Sequence, residues 1–138
     1  MTSFLKDVLA AGRYFPPKVG KHIEFTGADL RDLAARGNEM LRAGWGVPVY
    51  FEHGRDRRPF PLSMSKAEQQ ARGMAGEAKA FRTRGGKLEV IVGIDDGDAG
   101  QVEKVGYVSP EIDFDVRTGD GRIWEGPSIT HIAVTPTP

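Results

Sequence analysis

The sequence has no cysteine, and this absence excludes disulfide bonds, thiolate metal ligands and cysteine nucleophiles. Basic and acidic residues number 19 each, so the formal net charge is zero, whereas a nucleic-acid-binding domain is usually basic. No apolar run reaches the roughly 18 residues that a membrane-spanning helix needs, and the N-terminus is too polar for a secretory signal. We therefore expect neither a nucleic acid nor a membrane among the partners of this chain.

The length and the composition are typical of one globular domain. A chain of 138 residues can bury roughly two thirds of its unfolded surface, which is enough for a hydrophobic core that needs no disulfide or metal to stabilise it. Hydrophobic residues make up 39% and charged residues 28% of the sequence, and both proportions are ordinary for a soluble protein. We predict a single domain that spans residues 1–138.

Two helices carry recognisable start signals. Thr26 can cap a helix, with Asp29 in the capping-box position, and leucines follow at helical spacing until a stop at Gly44. Ser65 and Glu68 repeat the capping-box pattern before a second, shorter helix. Both helices should therefore have well-defined first turns.

The rest of the sequence is rich in strand patterns. Apolar runs between glycine-rich turns predict strands at residues 21–25, 47–54, 74–84, 87–94, 104–116, 121–125 and 129–135. The motifs RGG at 84–86 and TGDG at 118–121 are typical of hairpin turns, while 95–101 fits a loop. The sequence therefore predicts an α+β fold with a mainly antiparallel sheet or barrel and flanking helices.

The stretch EKVGYVSPEIDFDV, residues 103–116, places a serine in a strand directly before a proline. Alternation puts Ser109, Glu111 and Asp113 on one face of the extended chain, opposite a mostly apolar face. Pro110 biases the serine toward an extended backbone and removes one ladder hydrogen bond, which favours a sheet edge or a bulge. Such a serine is either an ordinary strand residue or a nucleophile on a rigid platform.

Histidine is scarce, and the three histidines, His22, His53 and His131, all lie in predicted strands. Strand phase groups His53 with the apolar face of 47–54, and it groups His131 with Ile129 and Ala133. An imidazole on an apolar face needs a hydrogen-bond partner, because an unpaired polar group there costs about 1–3 kcal/mol. Each of these histidines is an available partner for the other or for the strand serine.

A serine and two histidines can together catalyse acyl transfer. A serine hydroxyl becomes a nucleophile only when a base accepts its proton, and the base needs a third group to fix its tautomer. Aspartate usually supplies that group, but a second imidazole can make the same hydrogen bond with weaker electrostatic support. Spacing alone does not show that Ser109, His53 and His131 meet, so a structural role for each residue stays open.

Other polar clusters give weaker signals. Glu111, Asp113 and Asp115 could ligate a metal, but a solvated strand face is the simpler interpretation. DDGD at 95–98 lacks the pattern of a calcium loop, and RDRR at 55–58 fits a solvated basic loop. We therefore predict no metal site and no cofactor.

Several segments, in order along the chain, match a known family. They are AGRYFPPKVGKHIEFTGADLRDLAARGN, VPVYFEHG, ARGMAGEAKAF, GYVSPEIDF and GPSITHIAVTPTP. Through them the chain resembles the prohead proteases of tailed phages, especially the Mu-like protease–scaffold family. Those enzymes share the fold of the herpesvirus capsid maturation protease, assemblin. The resemblance covers nearly the whole chain and implies a herpesvirus-assemblin-like fold.

The resemblance also implies roles for the residues singled out above. His53 matches the family's general base, Ser109 of YVSPE matches its nucleophile, and His131 falls at the third position of the triad. Related phage enzymes often place an acidic residue at that third position. Glu111 and Asp113 are therefore substitutes for His131 in the third role.

The activity implied by the resemblance is that of a serine endopeptidase in capsid maturation. Its substrates would be the scaffolding protein, its own C-terminal segment and the major capsid protein. It would act as a homodimer or higher homo-oligomer inside the phage prohead, which assembles in the bacterial host cytoplasm. The family joins its protease domain to a scaffolding segment that self-cleavage removes, so the end at AVTPTP predicts one part of a longer protein.

Two other functions stay open beside the protease. A non-enzymatic scaffold or capsid-assembly module would keep the fold without the chemistry, and a ligand-binding β-barrel would enclose a cavity. An enzyme also needs an oxyanion hole, for which the turns at 118–121 and 125–128 are candidates. The apolar Phe4, Leu5 and Leu9 fit either an oligomer interface or the core.

Overall fold

A computed structural model describes residues 1–15, 20–52, 58–105 and 108–134. Strands and three helices alternate along this part of the chain. The elements are β1 (Thr2–Ala10), β2 (Gly12–Tyr14), β3 (Ile23–Phe25), α1 (Gly27–Arg42), β4 (Trp45–Gly46), β5 (Pro48–Tyr50), β6 (Phe60–Pro61), α2 (Lys66–Ala71), β7 (Gly76–Arg84), β8 (Lys87–Ile94), α3 (Ala99–Glu103), β9 (Ser109–Arg117) and β10 (Ile123–Ala133). The predicted α+β class is confirmed.

The long strands form one six-stranded sheet in the order β1-β8-β7-β5-β10-β9. Every neighbouring pair is antiparallel except β5 and β10, which run parallel with Val49 opposite Ile132. One hydrogen bond links the two outer strands of this order. The Val108 N–H, just before β9, donates to the Asp7 carbonyl of β1 at 3.0 Å. The two ends of the strand order therefore approach each other at this point of the mainly antiparallel sheet.

Helix α1 begins with the predicted capping box. The Asp29 N–H donates to Thr26 Oγ1 at 3.1 Å, and the Thr26 N–H donates to Asp29 Oδ2 at 2.8 Å. Further along, the Asn38 side chain bonds both backbone groups of Phe81 on β7, at 2.8 Å and 2.9 Å. The helix is thus fixed to the sheet by directional bonds as well as by its buried leucines.

The hydrophobic core lies on both sides of β5. Val47 and Val49 belong to the main cluster under α1, whereas Tyr50 packs with Phe60 and Met74 in a second cluster. Adjacent strand residues point to opposite faces, so this short strand contributes to both clusters. Apolar burial on this scale is the main source of stability in a domain of this size.

The N-terminal segment differs from the sequence-based expectation. Residues 2–10 form the strand β1, which pairs with β8 along its length, although no strand was predicted there. Phe4 and Leu9 pack against the main core, while Leu5 is 45% exposed. The apolar N-terminus is therefore largely core, with Leu5 alone of the three on the surface.

Three predicted strand boundaries also change. The strand predicted at 104–116 begins at Ser109, and residues 99–103, which overlap the predicted loop at 95–101, form α3. The strands predicted at 121–125 and 129–135 are one continuous strand, β10, within the described residues. The strand predicted at 47–54 is shorter, with β5 ending at Tyr50 and residues 53–57 outside the described part.

No helix in the described part of the chain is long and apolar enough to cross a membrane.

Candidate active site

Ser109 is the first residue of β9, at the point where the chain enters the last strand of the sheet order. Ser109 is partly exposed, and so is Pro110, which follows it. Ser109 pairs with Ala133 and Pro110 pairs with Ile132 of β10. The missing N–H of the proline is tolerated because β9 has a ladder partner on only one side over most of its described length.

His131 lies near the end of β10 and is only 1% exposed. Its ring meets the edge of the Tyr50 ring with a centroid separation of 5.9 Å and an interplanar angle of 63°. The Tyr50 carbonyl in turn accepts the Val134 N–H at 2.7 Å. Because β5 and β10 pair directly after His131, Val49 with Ile132 and Tyr50 with Ala133, the imidazole is held by packing in a well-defined position.

The register of β9 and β10 brings three of the predicted residues to one face. Glu111 is directly opposite His131, and Ser109 is directly opposite Ala133. Directly opposed residues share a face, so Ser109 and His131 are diagonal neighbours. The α-carbons of such neighbours lie about 7–8 Å apart, which long side chains can bridge. Ser109, Glu111 and His131 therefore form a compact polar group at one end of the hairpin.

A β-bulge corrects one prediction about His131. Ile129 pairs with Ile112 while His131 pairs with Glu111, so Thr130 is an extra residue on β10. Since residues 111 and 112 point to opposite faces, Ile129 and His131 do so as well. The predicted grouping of His131 with Ile129 is wrong, whereas its regular alternation with Ala133 holds. The bulge lets Ile129 enter the main core while His131 meets Tyr50 on the other face.

Asp113 is further from the serine than Glu111. It lies on the same face of β9, and its Oδ2 is 3.2 Å from the Thr130 hydroxyl. The same hydroxyl is 3.4 Å from the Glu111 carbonyl, and its single proton can be donated to only one of these two oxygens at a time. Asp113 is four residues along from Ser109, roughly 13 Å away, so Glu111 is the better placed substitute.

The two turns expected to supply an oxyanion hole lie far from the serine. Strand β9 is 9 residues long, so the turn at 118–121 is roughly 30 Å from Ser109. Pro127 of the 125–128 bend pairs with Phe114, roughly 15 Å along β9 from the serine. Neither candidate lies close to Ser109 along this hairpin, because Ser109 is at its open end and the two segments lie toward its turn.

His53, the predicted general base, lies outside the described residues. The strand before it behaves as predicted, because Val47 and Val49 are buried in the main core and Phe51 packs against it. Tyr50 and Thr130 are two neighbours of the site that the sequence did not indicate. The alternation within VPVY could have placed Tyr50 opposite the valines, but no sequence signal marks the bulge at Thr130.

Among the described residues, no group of three or more histidine, cysteine, aspartate or glutamate side chains could hold a metal ion. Comparisons with protein-family models, with curated proteins and with solved structures give no match to the chain. The resemblance to prohead proteases therefore stays a prediction that rests on the sequence segments that carry it. The geometry around Ser109 is the physical basis on which a function can be proposed.

Proposed function

We propose that the chain is a serine endopeptidase of the phage prohead protease type, with an assemblin-like fold. The observation that carries the proposal is the register of β9 and β10, in which Ser109, Glu111 and His131 share one face. A partly exposed serine next to a buried histidine combines a reachable hydroxyl with a rigidly held imidazole. A hydroxyl and an imidazole are two of the groups that nucleophilic catalysis by serine needs.

In the proposed reaction, the Ser109 hydroxyl attacks a peptide carbonyl while His53 accepts its proton. The tetrahedral intermediate collapses, the amine leaves with the proton that His53 returns, and an acyl-enzyme remains on Ser109. Water then hydrolyses the ester, with His53 taking and returning the second proton. His131 supports His53 as the third member of the triad.

A carboxylate near the His131 imidazole would strengthen this arrangement. Glu111 stands directly opposite His131, and the Cβ atoms of such a pair lie about 4.5–5.5 Å apart. A negative charge at that distance stabilises a positively charged imidazole, which a neutral second histidine does less well. Glu111 is therefore proposed as the acidic group that supports the histidines.

The proposed substrates follow the resemblance. They are the scaffolding protein, the enzyme's own C-terminal segment and the major capsid protein, cleaved inside the prohead by a homodimer or higher homo-oligomer. A substrate that docks as an added strand suits the outer edge of β9, which has a ladder partner on only one side beyond the bond that joins Val108 to Asp7 of β1.

The first test is covalent labelling of the chain by a fluorophosphonate, a reagent that reacts with activated serines. We expect the wild type to be labelled at Ser109, as located by peptide mass mapping, and Ser109→Ala to resist labelling. Ser3→Ala, which removes an exposed strand serine from β1, is the matched control and should be labelled normally. Equal labelling of wild type and Ser109→Ala would overturn the proposed nucleophile.

The second test concerns the substrates. The chain is co-expressed with the scaffolding and major capsid proteins of its phage, as wild type and as Ser109→Ala, and intact masses are measured. Trimming by the wild type alone supports the peptidase. Assembly of proheads with neither variant trimming any component would favour the non-enzymatic assembly module instead.

A further inference from the structure

Lys6 is a buried lysine whose ammonium is directed at the chain just before the candidate nucleophile. It lies in the middle of β1 and is 6% exposed. Its Nζ donates a hydrogen bond to the Val105 carbonyl, between α3 and β9. The carbonyl of the next residue, Asp7, accepts the Val108 N–H at 3.0 Å. Two consecutive residues of β1 thus hold Val105 and Val108, and Val108 is bonded directly to Ser109.

Burial of the Lys6 amine is energetically unfavourable. Its Nζ lies 5.4 Å from the centroid of the Phe4 ring. Burial lowers the pKa of Lys6 from its ordinary value, and the negative charge of Glu103 partly opposes that effect. A buried amine is unfavourable unless its hydrogen-bonding groups are satisfied. An aliphatic residue would fill the same space in β1 without that cost, so the lysine needs another explanation.

We propose that Lys6 is a positioning residue for the nucleophile. By holding Val105 while Asp7 holds Val108, it fixes the start of β9 and with it the direction of the Ser109 side chain. The inference rests on the proposed function, since it concerns the reactivity of Ser109. It extends that function to β1, a strand on which the sequence shows no catalytic pattern.

The test compares fluorophosphonate labelling rates of three lysine variants of the full chain. Lys6→Met keeps the aliphatic stem and removes the donor, while Lys6→Arg keeps both the charge and a donor. Lys87→Met is the matched control, because Lys87 is an exposed lysine on the adjacent β8 that pairs with the Asp7 carboxylate at 3.6 Å. The fraction labelled at saturation is measured beside the rate, since it reports how much of each variant is folded.

We expect Lys6→Met to label about tenfold to hundredfold more slowly than wild type, with the saturated fraction unchanged. Lys6→Arg should recover most of the rate, and Lys87→Met should match wild type. A purely structural role predicts a smaller saturated fraction at a normal rate, and that result would overturn the inference. Labelling of Lys6→Met at the wild-type rate would also overturn it.

The two proposals fail in different ways. If the wild type itself is not labelled, the proposed function fails and the inference about Lys6 falls with it. If the wild type is labelled and Lys6→Met reacts equally fast, only the inference fails. Deuterium exchange at the Val108 amide adds a direct measurement, and faster exchange in Lys6→Met than in Lys87→Met is expected.

Discussion

Glu111 and His131 face each other directly across β9 and β10, two residues along from the pair formed by Ser109 and Ala133. An acid, a buried imidazole and a hydroxyl therefore share one small area of the sheet. In an antiparallel pair, this proximity is set by the register alone and does not depend on loops. Substitutions at each of the three positions therefore test the proposed site separately.

Replacing His131 by phenylalanine should separate packing from chemistry. The substitution His131→Phe keeps an aromatic ring against Tyr50 and removes both ring nitrogens. If His131 supports the general base, labelling of Ser109 should slow by roughly tenfold or more while the protein stays folded. Circular dichroism with the labelling rate checks this, and an unchanged rate would reduce His131 to a packing residue.

The two candidate carboxylates should differ in their effect. Because Glu111 is opposite His131 and Asp113 is a further two residues along β9, Glu111→Gln should slow labelling more than Asp113→Asn. We expect a decrease of about tenfold for the first and less than about threefold for the second. Both substitutions remove one negative charge, so each is the control for the other. The reverse order would assign the supporting role to Asp113.

Gly76 is required by the close approach of two strands. A Cβ atom there would lie 2.0 Å from the Gly93 carbonyl oxygen of β8, and backbone cannot move aside cheaply. Gly76→Ala should therefore lower the free energy of unfolding by about 3 kcal/mol. Gly97→Ala, where no atom lies within 4 Å of the new methyl group, is the matched control and should be close to neutral. Urea unfolding of both variants measures the difference.

The pH dependence of stability should report the burial of Lys6. Its pKa is lowered in the folded protein, while the unfolded chain keeps the ordinary value of 10.5. Between these two values the unfolded state binds more protons, so folding stability contributed by this group rises as pH increases toward 10.5. The free energy of unfolding of wild type minus that of Lys6→Met should therefore increase with pH over this window.

Urea unfolding at a series of pH values measures that difference. Lys87→Met controls for the loss of one lysine from the same sheet. A difference between wild type and Lys6→Met that stays constant from neutral pH to 10.5 would contradict the burial of a titrating amine.

The sequence determined the features that depend on neighbours along the chain. Thr26 and Asp29 form the predicted capping box because its bonds join residues three apart. The turn at 84–86 joins β7 and β8 because Gly85 and Gly86 accept the positive φ angles of 55° and 75° that such a turn requires. The alternation that puts Ser109 and Glu111 on one face is equally local.

Only the tertiary structure decided which strands meet and in which register. The sequence gives no sign that β1 joins the sheet beside β8, because that pairing depends on a partner more than 70 residues away. The bulge at Thr130 is likewise a matter of tertiary packing, because it places Ile129 in the main core and His131 against Tyr50. Chemical type and strand phase could thus single out Ser109 and His131. Their proximity comes from the pairing of β9 with β10, and the register of that pairing depends on how the whole sheet packs.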